Sequence, residues 1–133
     1  MVVLSAEENK LLLEVVGWDK LWALKSRLEI PLEHIKSIHT ESNLPMGWFD
    51  GIKMGGTAIP NAVRAGTFYQ QGEWIFWDVR NPEKAVVIEL ADERYAKLIL
   101  EVDDPYAAIA IVEAALAHHR ANVAAAYAEL KNP

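Results

Sequence analysis

The chain has 133 residues, a formal net charge of −6, 52% hydrophobic residues and no cysteine. One domain of this length buries roughly two thirds of its unfolded surface, so it needs neither metal nor disulfide to fold. The missing thiols exclude a disulfide scaffold, cysteine-held zinc or iron–sulfur centres and thiol catalysis, and the acidic balance disfavours phosphate backbones and anionic membranes as nonspecific partners.

The N-terminal MVVLSAEENK carries no basic region and no long apolar core, so it is not a secretory signal. Lys10 to Val16 is apolar and suits a strand, and Gly17 punctuates it. In the following WDKLWALKSRL, Trp18, Leu21, Trp22 and Lys25 fall at helical spacing with Asp19 placed to cap; a hairpin competes, so residues 18–25 read as helix or strand. Arg27 to Ile30 is a strand ended by Pro31, which holds the preceding residue extended and cannot donate to a ladder. Leu32 to Ile35 fits one helical turn, and Lys36 to Glu41 an edge or exposed strand.

From Asn43 to Ala65 the chain is irregular, with Gly47, Gly51, Gly55 and Gly56 between Pro45 and Pro60. Leu44, Met46, Trp48, Phe49, Ile52, Met54 and Ile59 are too many apolar residues for a loose loop, so an ordered loop or short strand pieces are expected. The longest uncharged stretch, Met54 to Val63, is too short and too broken to span a bilayer, and the chain reads as soluble and cytoplasmic.

Gly66 to Gln70 is strand-like, with a hairpin turn at Gln71-Gly72. In Glu73 to Arg80, Trp74, Phe76 and Asp78 share one face while Ile75, Trp77 and Val79 share the other. A turn at Asn81-Pro82 leads to Ala85–Ala91, where Val86, Ile88 and Leu90 lie together opposite Val87 and Glu89. After a turn at Asp92–Arg94, Lys97 to Asp103 sets Leu98, Leu100 and Val102 opposite Ile99 and Glu101. These short connections predict antiparallel neighbours throughout, because a parallel crossover needs about a dozen residues or more. The chain ends in a helix from Pro105 to about Leu130, capped by Asp103 or Asp104, whose second half from His118 outruns the sheets.

The segments IPLEHIKSI, GIKMGGTAIP, AGTFY, FWDVR, AVVIEL and YAKLILEVDDPYAAIAIVEAAL, in this order, resemble a family of uncharacterised bacterial pleckstrin-homology-like (PH-like) proteins. The resemblance covers about Leu11 to Leu116 and implies an α+β fold: a PH-like antiparallel β barrel or sandwich capped by a C-terminal helix. On this reading residues 1–116 are the PH-like domain and 117–133 a helical extension, not a separate domain. It implies no catalytic residue and no cofactor, and a role as a binding platform for peptides, membranes or identical subunits.

No nucleophile–base pair, GxSxG elbow, P-loop or GxGxxG motif occurs, and adjacent His118 and His119 diverge too far to share a metal ion. Asp78 and Arg80 flank Val79 on one strand face and suit an ion pair. Lys20, Lys25, Arg27, Lys36, Lys53 and Arg64 are interspersed with acids, so phosphoinositide binding is disfavoured.

The expected activity is therefore a non-enzymatic binding or assembly module, with a protein partner or self-association. Two surfaces are candidates: Trp48, Phe49, Lys53 and Arg64 in or near the glycine-rich loop, and Val123, Tyr127 and Leu130 on the last helix, where Ile109, Leu116, Val123 and Leu130 repeat every seven residues. The alternatives are a small-ligand carrier or enzyme using the barrel interior, for which Glu14, Glu89 and Glu101 are the polar candidates, and peripheral membrane recruitment.

Overall fold

The computed structural model describes residues 1–7, 9–15, 27–40, 52–59, 63–70 and 72–131, with backbone alone at 52–59, 63–65 and 70. Strands β1 (Val2–Ala6), β2 (Lys10–Val15) and β3 (Arg27–Pro31) form a three-stranded antiparallel sheet in that order. A 3₁₀ turn at Leu32–His34 leads to the second sheet. That sheet holds β4 (Ile35–Thr40), β5 (Ile52–Ile59), β6 (Val63–Gln70), β7 (Glu73–Val79), β8 (Ala85–Leu90) and β9 (Lys97–Glu101). Its strand order is β4-β8-β9-β7-β6-β5, and the long helix α1 (Pro105–Lys131) follows.

The class is α+β, and among the described residues neither sheet closes on itself: the small one ends in β1 and β3, the large one in β4 and β5. Of the two expected forms, barrel or sandwich, the closed barrel is not found; the described strands make two open sheets that share a core. The N-terminal residues, read from the sequence only for the signal they lack, pair with β2 from Val2↔Val15 to Ala6↔Leu11. Much of the glycine-rich run is strand β5, whose pairing with β6 shifts register between Lys53 and Gly56. Glycine tolerates the local bend of such a bulge. Residues 18–25 lie outside the described residues.

One pairing overturns the expectation of antiparallel neighbours. β7 and β9 lie side by side and run parallel, from Ile75↔Lys97 to Asp78↔Leu100. The connection from β7 to β8 skips one place in the sheet, and β9 fills it. β8 and β9 are antiparallel, Ala85↔Glu101 to Glu89↔Lys97, as their short turn dictates. The parallel pair therefore has its long crossover after all: residues 80–96 supply it, with β8 carried inside it.

The alternation read from the sequence does decide the layers. Phe76, Val86, Ile88, Leu90, Leu98, Leu100 and Val102 point to one face, where they join Val2, Leu11, Leu13, Val15 and Ile30 of the small sheet in the main core. Phe68, Ile75, Trp77, Val79, Ala85, Val87 and Ile99 form a second buried cluster on the opposite face. The large sheet is apolar on both sides, which explains the nearly continuous apolar runs of β8 and β9. Both tryptophans of β7 pack: Trp77 is buried in the second cluster and Trp74 half-buried against the first.

Helix α1 begins where Asp104 Oδ1 accepts hydrogen bonds from the backbone N–H groups of Tyr106 and Ala107, each 3.1 Å. This satisfies orphan donors of the first turn. Ala108, Val112 and Leu116 enter the main core. The helix touches β1, β4, β8 and the 3₁₀ turn, so it spans from the edge strand of one sheet to the edge strand of the other. From Ala121 to Lys131 every residue is exposed.

Candidate interaction groove

Leu116 is the last α1 residue in the core, yet the face it occupies continues. With an advance of about 100° per residue, Val112, Leu116, Val123, Tyr127 and Leu130 fall within a window of about 60°. The stripe that packs on the sheets is the stripe that overhangs them. Val123, Tyr127 and Leu130 are 55%, 59% and 82% exposed.

A groove of about 520 Å³ opens between this overhang and the chain entering β4. Leu32, Glu33 and Ile35 form one wall; Leu116, His119, Arg120, Val123, Ala124 and Tyr127 form the other. Its floor is apolar because Leu32, Ile35 and Leu116 are themselves core residues. Its rim carries opposite charges, Glu33 on the turn side and Arg120 on the helix. The Lys131 ammonium sits 5.0 Å from the centre of the Tyr127 ring, a cation–π contact at the far end of the stripe.

Of the residues expected to make contacts, the structure brings Val123 and Tyr127 to this groove, with Leu130 beyond them on the same face. Trp48 and Phe49 lie outside the described residues. Lys53 is on β5 opposite Phe68, and Arg64 is on β6 between Ala58 and Val79. β5 is the edge of the large sheet farthest from β4, so the two candidate surfaces belong to opposite edges. Leu32, Glu33 and Ile35 are groove residues that sequence reasoning missed. Nothing in the IPLEHI segment signals that a helix arriving some eighty residues later will overhang it.

The three strand carboxylates considered for an interior site do other work. Glu14 is exposed, Glu89 accepts a hydrogen bond from Ser37 Oγ at 2.8 Å, and Glu101 accepts from the backbone N–H groups of Arg80 and Asn81 at 2.8 and 2.6 Å. Glu101 thereby ties down the turn that lets β8 skip a place.

Among the described residues, Thr67, Tyr95 and Asp78 bring polar groups into the interior. Thr67 Oγ1 and the Tyr95 hydroxyl share a hydrogen bond at 3.1 Å. Asp78, only 1% exposed, has Oδ2 3.3 Å from the Met1 ammonium. Burial raises the Asp78 pKa above its usual value, outweighing the ammonium's pull in the other direction.

Beside the groove, His34 Nδ1 meets Glu93 Oε2 at 2.5 Å. This hydrogen bond, with the charges of Glu93, Glu33 and Asp92, raises the His34 pKa above its ordinary value. His119 lines the groove, while His118 Nε2 lies 3.2 Å from Asn122 Nδ2 on the solvent side.

Among the described residues, no three His, Asp or Glu side chains converge as metal ligands would, and no helix is long and apolar enough to cross a membrane. No family model, curated protein or solved structure matches the chain.

Proposed function

We propose that the protein is a non-enzymatic binding or assembly module that works by self-association, its contact surface being the overhanging half of α1 with the groove at its base. The observation that carries this reading is the continuation of the sheet-facing stripe past the last core residue, which leaves Val123, Tyr127 and Leu130 exposed. Fully burying such side chains contributes about 1.5–3 kcal/mol each. A second helix laid along the stripe and into the groove would collect that contribution without remodelling the domain.

The PH-like identity belongs to the same reading. It is supported by the order of strands then helix, and by the packing of α1 on a core shared by both sheets. The open sheets and the parallel β7–β9 pair count against it. A cytoplasmic setting is likewise an inference from the cysteine-free, acidic composition.

Light scattering over a concentration series tests the reading. The full chain is expected to exceed monomer mass, and the double variant Val123→Asp, Leu130→Asp to return to monomer with its circular dichroism spectrum unchanged, its melting temperature falling only by the part that association adds. A wild-type monomer at every concentration would refute self-association. A second reading is favoured by the groove's volume, about 520 Å³, which falls in the range of about 300–1,000 Å³ typical of small-ligand sites. A carrier of this kind would take up an apolar ligand beside Tyr127 while staying monomeric.

A further inference from the structure

Besides the packing of Leu32 in the core, three described hydrogen bonds fasten the turn that forms one wall of the groove to the rest of the molecule. Leu32 N–H donates to Asn9 O at 3.0 Å, and Ala91 N–H donates to His34 O at 2.8 Å. The third contact is His34 Nδ1 to Glu93 Oε2 at 2.5 Å, between residues 59 positions apart in the chain. The two backbone bonds are indifferent to pH. The third is not: an imidazolium–carboxylate bond is roughly twice as strong as its neutral counterpart.

We propose that His34 and Glu93 form a proton-dependent clasp, which fastens the β3–β4 turn to the β8–β9 turn and so holds the turn-side wall of the groove.

The surroundings favour such a clasp. His34 and Glu93 are 27% and 23% exposed, so their pairing is only partly screened. The groups acting on the imidazole from its own turn and from the facing turn are Glu33, Asp92 and Glu93, all acidic. Arg94, the nearest cation in sequence on the facing turn, is engaged over the rings of Trp74 and Tyr95 at 5.8 and 5.5 Å. Across the groove α1 contributes His119 and Arg120, opposite Glu33.

The linkage has a definite sign. A histidine whose pKa is raised in the folded state adds stability that is fully present below its ordinary 6.5 and is lost as pH rises through the folded-state midpoint. The clasp tightens on the acid side of that midpoint and loosens on the alkaline side. It is a local property of two turns and holds whether or not the groove takes a partner.

NMR titration of the imidazole signals, with hydrogen exchange of the Ala91 amide, tests the clasp on the full chain. The His34 midpoint is expected above 6.5 and should drop in Glu93→Gln. Ala91 protection, corrected for intrinsic exchange, should fall as pH crosses that midpoint, and both Glu93→Gln and His34→Gln should abolish the fall. A His34 midpoint at or below 6.5, or an Ala91 profile that His34→Gln leaves unchanged, would overturn the proposal. Neither readout requires self-association, so failure of one proposal leaves the other standing.

Discussion

At the scale of single residues, Asp78 carries the most informative burial. Its carboxylate is enclosed with one oxygen lacking a hydrogen bond, and burial raises its pKa. A carboxyl group shifted upward adds stability below its unfolded value near 3.8 and loses it as pH rises through the folded value. Asp78→Asn is therefore expected to raise the melting temperature at pH 7, with the gain vanishing below pH 3.8, as thermal denaturation at the two pH values would read. An equal melting temperature at pH 7 would show that the Met1 ammonium offsets the burial. Tyr95→Phe should cost about 1–3 kcal/mol in urea denaturation, because it strands the buried Thr67 hydroxyl. The sequence placed Asp78 on the same strand face as Trp74 and Phe76 and set Arg80 beside it, and the Arg80 charge does act to lower the Asp78 pKa. Its ammonium partner lies next to β1, whose pairing no local pattern announces.

At the scale of elements, α1 divides into two parts that the same substitution should distinguish. Leu116→Ala, in the core, should cost about 2–5 kcal/mol. Val123→Ala, one helical repeat further on the same face, should change monomer stability by less than about 0.5 kcal/mol. Chemical denaturation under monomeric conditions measures both. The hairpin turn at Gly72, with φ +81°, needs its glycine for the backbone alone: an added Cβ would meet nothing nearer than the Tyr69 hydroxyl at 4.0 Å. Gly72→Ala should thus cost about 1–2 kcal/mol through backbone strain rather than a clash. These elements were legible because each is local. Alternation in Glu73–Val79 and Ala85–Leu90, the Asn81-Pro82 turn and an acidic cap before Pro105 all act within a few residues. β5 was less legible because glycine and apolar residues there suited a packed loop as well as a bulged strand.

At the scale of the whole molecule, the sequence conveyed the class and the terminal helix but not the topology. Hairpin logic held wherever consecutive strands pair. It failed at β7 and β8, because a short link can step over one strand position and leave a slot for β9. The groove was illegible for the same reason: it joins residues 32–35 to residues 116–127, and only the assembled sheets set where the helix outruns them. What the sequence did carry was the stripe itself, since Val123, Tyr127 and Leu130 continue the spacing of Val112 and Leu116. Hydrogen exchange of the full chain, followed by mass spectrometry at increasing protein concentration, tests the role of that stripe most directly. Amides from Arg120 to Lys131 and from Leu32 to Ile35 are expected to gain protection together as concentration rises, while the β7–β9 amides stay constant. Protection of both segments that does not change with concentration would contradict self-association through the overhang.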